Sequence, residues 1–164
     1  MLGLTPIVAH AQDAYSLGPG DKVRITVFGN EDISGDFEVD SSGVIAMPLI
    51  EKIPATGLTV AQLENEIFHR LSPDFVKNPR ITIDILIYRP FYIFGEVQRP
   101  GSYPYVAGLT VVNAVAVAGG FTYRADKDDI VINRGTGDQR KILQGKRTDP
   151  VMPGDVVEVK ERFF

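Results

Sequence analysis

The strongest constraint on this chain is a Pro-Gly-Asp tripeptide that occurs twice, each time just ahead of a run rich in β-branched residues. Pro19-Gly20-Asp21 leads into Lys22-Val23-Arg24-Ile25-Thr26-Val27, and Pro153-Gly154-Asp155 leads into Val156-Val157-Glu158-Val159-Lys160. Proline presets φ and glycine reaches positive φ, so each pair turns the chain sharply. In the first copy Val23, Ile25 and Val27 then share one face of a strand, with Lys22, Arg24 and Thr26 on the other. Turn-anchored strands near both ends of the chain exclude a bundle of long helices. Sixteen glycines and eleven prolines in 164 residues point the same way, toward many short elements. At 44% hydrophobic residues the chain can build a packed core.

A second pattern also repeats. Gly57-Leu58-Thr59-Val60 and Gly108-Leu109-Thr110-Val111 each read as the start of a helix. Thr59 is placed to cap, and Gln62 three residues on completes a capping box. Leu58 and Leu63 sit at staple spacing, and Val60, Leu63, Ile67 and Leu71 form one apolar stripe that Pro73 ends. In the second copy Thr110 is expected to cap. Val111 to Ala118 is almost wholly apolar, and a helix apolar on all sides is expected to be buried against a sheet; Gly119-Gly120 ends it.

The remaining strands follow from alternation and turn residues. Phe37–Val39 and Val44–Met47 flank Asp40-Ser41-Ser42-Gly43, a hairpin signal. Ile81, Ile83, Ile85 and Ile87 alternate within residues 80–88. Residues 91–94 and 102–105 flank a long hairpin loop, and residues 130–133 and 141–143 flank Gly135-Thr136-Gly137-Asp138. Each half reads as short strands around one helix, which is an α+β pattern of two small modules. The boundary is expected at Arg89-Pro90, giving modules at 12–89 and 90–164.

Net charge is −4, which argues against nucleic acid as the partner. It is unevenly spread: residues 13–88 hold 12 acidic and 6 basic side chains, residues 89–164 hold 9 and 11. Such asymmetry suits head-to-tail contact between copies. Cysteine is absent, so disulfides, thiolate zinc sites and a thiol nucleophile are excluded, and no lipid-anchored N-terminal cysteine is expected. Met1 to Val8 is mostly apolar, and Ala9-His10-Ala11 fits the small-x-small pattern of signal-peptidase cleavage, so residues 1–11 are expected to be part of a secretion signal.

Catalytic chemistry finds little footing. His69 is expected near the end of the first helix, where it favours the helix dipole. A calcium loop beginning at Asp126 would need glycine where Val131 stands. The pairs Glu31-Asp32 and Glu64-x-Glu66 read as surface charge, with nothing to bring a glycosidase pair together. No metal or cofactor site is expected. Tyr88, Tyr92, Tyr103, Tyr105 and Tyr123 gather with Arg89, Arg99 and Arg124 in the second half. Aromatic faces can stack on sugars, and arginine can hold the carboxylates of an acidic polymer. Arg89, Arg99, Tyr103, Tyr105, Tyr123 and Arg124 are therefore the candidate contacts for a polysaccharide or a neighbouring subunit. The alternative is that the strand tyrosines only pack across the sheet.

Taken in order, these motifs resemble a known family. Tyr15-Ser16-Leu17-Gly18-Pro19-Gly20-Asp21-Lys22-Val23, Asp40-x-x-Gly43-x-Ile45-x-Met47-Pro48-Leu49 and Gly57-Leu58-Thr59 resemble the periplasmic domain of polysaccharide biosynthesis/export proteins. Phe94-Gly95-Glu96-Val97-x-x-Pro100-Gly101-x-Tyr103, Ala118-Gly119-Gly120-Phe121-Thr122 and Met152-Pro153-Gly154-Asp155-Val156-Val157 resemble the β-grasp-like SLBB domain. The resemblance implies a non-enzymatic periplasmic subunit of a capsule or exopolysaccharide export conduit, forming a homo-oligomeric ring. It also implies an inner-membrane chain-length regulator as partner. Members that form their own outer-membrane pore end in an amphipathic helix, which is not seen after Arg162-Phe163-Phe164, so a short form served by a separate outer-membrane pore protein is expected. Two other readings stay open: a monomeric carbohydrate-binding module that senses or delivers polysaccharide, and an enzyme that trims it.

Overall fold

The computed structural model describes residues 15–135 and 137–163. The expected secretion signal lies outside the described residues. The fold is α+β, in two small modules. In the first, β1 (Lys22–Val27) is the middle strand of an antiparallel sheet, between β2 (Gly35–Glu38) and β5 (Ile81–Ile87). A separate antiparallel pair follows from β3 (Val44–Met47) and β4 (Glu51–Pro54). Helix α1 (Val60–Leu71) packs against β5. Val23, Ile25 and Val27 are buried as their alternation requires, and they share one cluster with Leu63, Ile67 and Leu71. Each such side chain contributes about 1.5–3 kcal/mol relative to exposure. The Thr59 hydroxyl accepts from the Gln62 N–H, and the Gln62 side chain accepts from the Thr59 N–H, so the capping box forms.

In the second module β6 (Phe91–Gly95) and β7 (Gly101–Tyr103) form the expected hairpin, and β8 (Ala125–Arg134) pairs with β9 (Lys141–Gly145). The last strand, β10 (Val156–Glu161), lies between β6 and β8, parallel to the first and antiparallel to the second. The sheet order is β7-β6-β10-β8-β9. Helix α2 (Val111–Val117) covers one face, with Val111, Ala114 and Val115 in a cluster with Phe91, Ile93, Ile130, Ile132, Val157 and Val159.

Two expectations from the sequence are corrected. The turn at Asp40 forms, and its carboxylate accepts from the Ser42 and Val44 N–H groups. The strands it joins separate, however: β2 pairs with β1 and β3 with β4. Thr110 stands at the N-cap of α2 without a side-chain cap bond. The N–H groups of Val111 and Val112, the first two of the helix, donate instead to the carbonyls of Asp149 and Arg147. Helix α2 packs against the sheet as expected, through one side, while Val112 and Val117 are 44% and 45% exposed. A sheet covers only one stripe of a helix. The alternation of β5 likewise outruns its core, with Ile81 and Ile83 buried but Ile87 54% exposed.

Each Pro-Gly-Asp turn lies beside a Gly-Leu-Thr segment. The Leu17 N–H donates to the Leu58 carbonyl (2.8 Å), and the Val151 N–H donates to the Leu109 carbonyl (2.9 Å). The Asp21 and Asp155 N–H groups each close their turn, at 3.1 Å onto the Gly18 and Met152 carbonyls. The two local assemblies match, but their chain order is reversed: the turn precedes the helix in the first module and follows it in the second.

Candidate functional site

The aspartates of both turns are buried, at 0% and 1% exposure. Burying a carboxylate is costly unless it is paired and hydrogen-bonded. Both are. One Asp155 oxygen accepts from the Met152 N–H (2.7 Å), and the Arg134 guanidinium grips the carboxylate at 2.8–3.3 Å. Asp21 accepts from the Gly18 N–H (2.9 Å), the Arg89 N–H (2.8 Å) and Arg89 Nη1 (2.9 Å). The Tyr15 hydroxyl donates to Asp21 and accepts from Arg89.

Arg89 follows β5 and precedes β6, so this carboxylate grips the chain where it passes from one hydrophobic cluster to the other. The guanidinium also sits 5.2 Å from the centre of the Tyr15 ring. Added β-carbons show how tightly it is held. One on Gly18 would come within 2.7 Å of Arg89 Nη1, and one on Gly154 within 2.6 Å of Arg89 Nε. Arg89 is thus wedged between the two Pro-Gly-Asp turns. The Gly154 N–H closes the seam by donating to the Pro90 carbonyl at 2.9 Å. Tyr15, Tyr88 and Tyr105 run edge-to-face across it, with centroids 5.2 Å apart at each step. Burial pushes the Tyr15 phenol well above its ordinary range, and its hydrogen bond to Asp21 adds to the rise. Burial raises Tyr105 as well.

The other four candidates gather at a different place. The β6–β7 loop is zipped to the segment after α2: the Gln98 and Arg99 N–H groups donate to the Gly120 and Ala118 carbonyls at 3.0 and 2.7 Å, and the Thr122 N–H donates to the Glu96 carbonyl at 3.0 Å. Arg99 is exposed on this loop, and its carbonyl accepts from the Tyr103 hydroxyl. The Tyr103 ring stacks on Phe91. Just beyond Thr122, Tyr123 is 86% exposed, and Arg124 pairs with Glu161. The structure therefore divides the candidates. Arg89 and Tyr105 belong to a packed seam. Arg99, Tyr103, Tyr123 and Arg124 lie at one solvent-facing end of the second module. Asp21, Asp155 and Arg134 were not among the sequence candidates, because a Pro-Gly-Asp turn carries no local sign that its aspartate is buried. The signal that could have found the aspartates is that a strand with buried alternate residues starts directly after each of them.

Among the described residues no group of three or more His, Cys, Asp or Glu could hold a metal ion. No helix among them is long and apolar enough to cross a membrane. What the fold offers is two modules joined at an ion-paired seam, with polar and aromatic side chains on open surfaces.

Residues 9–86 match the polysaccharide biosynthesis/export protein family, and residues 90–147 match the SLBB domain. The chain belongs to the polysaccharide biosynthesis/export protein family and carries an SLBB domain after its export domain. Over 126 residues it is 36% identical to the exopolysaccharide production protein ExoF of Rhizobium meliloti (strain 1021), covering 70% of this chain and 30% of that one. It is 28% identical over 124 residues to the polysialic acid transport protein KpsD of Escherichia coli, covering 74% of this chain and 22% of that one. The chain thus spans less than a third of the length of these relatives.

Proposed function

We propose that the protein is a non-enzymatic periplasmic subunit of a polysaccharide export conduit, and that copies of it associate into a ring. The observation that carries this reading is the succession of an export domain and an SLBB domain joined by the Asp21–Arg89 seam. A subunit of this kind must present both modules in a fixed relation, and a buried ion pair with aromatic edges supplies that. We place the module boundary at Arg89-Pro90, between the two hydrophobic clusters. A polymer in transit needs many weak contacts, since one tight site would stall it. Arg99, Tyr103, Tyr123 and Arg124 are offered as such contacts, either to the glycan or to the next copy. Arg89 and Tyr105 act by holding the modules together. An inner-membrane chain-length regulator and a separate outer-membrane pore protein are the proposed partners.

The test is solution mass. Light scattering of the purified protein over a range of concentrations, alone and with the chain-length regulator, should show a closed multiple of the 18.0 kDa chain. A strict monomer under every condition would overturn the ring.

A further inference from the structure

The sheet of the second module has two faces, and among the described residues only one is covered. Strand alternation turns Phe91 and Ile93 toward α2 and Tyr92 and Phe94 away from it. Register carries the open face across the strands in two rows. Tyr92 stands beside Val156, which pairs with Asn133, which pairs with Ile142. Phe94 stands beside Glu158, which pairs with Val131, which pairs with Gln144. Tyr92, Phe94 and Ile142 are 46%, 42% and 74% exposed.

The composition of this face decides what it can hold. Tyr92 and Phe94 are two residues apart on one strand, about 7 Å, so they present two aromatic side chains side by side on this face. Polar groups are interleaved with it rather than set around a rim. Glu158 and Lys160 form an ion pair on it (2.5 Å), Gln144 donates to Asp129 (3.0 Å), and the Asn133 amide and Tyr92 hydroxyl have no hydrogen-bond partner among the described residues. A protein laid over this face would have to bury those groups among apolar atoms, and each one left unmatched is costly. A sugar chain does not, because a pyranose offers an apolar C–H face to an aromatic ring and hydroxyls along its edge to amides and charged pairs.

We infer that this open sheet face is a glycan-binding surface, with Tyr92 and Phe94 as the stacking platform and Asn133 and the Glu158–Lys160 pair as hydroxyl partners. The ligand class rests on the proposed function; the location rests on the sheet. Binding is shallow and weak, as a mobile polymer requires.

Affinity electrophoresis in native gels tests this, using dextran, laminarin, alginate and polysialic acid as separate probes. The wild-type protein should be retarded by at least one of them. Tyr92→Ala with Phe94→Ala should weaken that retardation roughly tenfold or more, from the aromatic area removed. Asn133→Ala, which leaves both rings in place, should weaken it less. Phe28→Ala, an exposed aromatic on the first module (75%), should not change it. Circular dichroism verifies folding, and Asn133→Ala remains informative if the double variant does not fold. Retardation that survives all the sheet-face changes would overturn the location while leaving the proposed function standing. No retardation by any probe would overturn the inference, and the solution-mass test would still decide the ring. A change in oligomeric mass caused by the double variant, with glycan retardation intact, would assign the face to another copy and overturn the inference as well.

Discussion

Removing the Arg89 side chain should show how much the seam contributes. Asp21 is wholly buried, and the Arg89 side chain is 26% exposed. Breaking a fully buried pair costs about 3–5 kcal/mol, because the remaining charge is stranded. Here Asp21 keeps the Gly18 and Arg89 backbone N–H donors and the Tyr15 hydroxyl, and water reaches part of the arginine. Arg89→Ala should therefore cost about 2–3 kcal/mol, or about 4–12 °C in Tm for a chain of this size. The same change at Arg24, whose pair with Asp36 is about half exposed on both sides (54% and 44%), should cost clearly less, since solvent screens an exposed pair. The chain has no tryptophan, so urea unfolding is best followed by far-UV circular dichroism. Adding Asp21→Asn to Arg89→Ala should recover part of the loss, because an amide tolerates burial without a counter-charge better than a carboxylate does. Arg89→Ala should also split one unfolding transition into two as the modules uncouple. Additive effects within about 0.5 kcal/mol, with a single transition throughout, would refute the role given to the pair.

Two other changes probe local physics. Thr59→Ala should cost about 1 kcal/mol because it removes a formed capping box, whereas Thr110→Ala should cost a few tenths at most, both read from urea midpoints. The pKa of the Tyr15 phenol is raised in the fold, so its contribution is fully present below its unfolded value of about 10 and is lost as pH rises beyond that. Tm measured from pH 8 to 11 should fall at the alkaline end, and Tyr15→Phe should flatten that fall.

Period and punctuation made the elements legible. Alternation from Val23 to Val27 and the Thr59–Gln62 box each appear in the structure as read, because both depend on neighbours a few residues apart. Pairing was not legible. Nothing local tells β3 to leave the Asp40 turn for β4, or β10 to enter the sheet parallel to β6 across some sixty residues. Thr110 shows the same limit from the other side, since the carbonyls that satisfy the start of α2 come from Arg147 and Asp149. The candidate site was half legible. Residue type singled out Arg89 and Tyr105 along with Arg99 and Tyr123, but an arginine held by a buried carboxylate and one facing water look alike until Asp21 is known to be buried. The open sheet face was likewise hidden, because Tyr92 and Asn133 become neighbours only through β10.

Export is tested most directly in cells. A clean deletion of the gene, in a strain without a second copy, should abolish or sharply reduce surface and secreted polysaccharide, and the wild-type gene should restore it. Polysaccharide of unchanged amount and location in that strain would contradict the assignment of this protein to the export path.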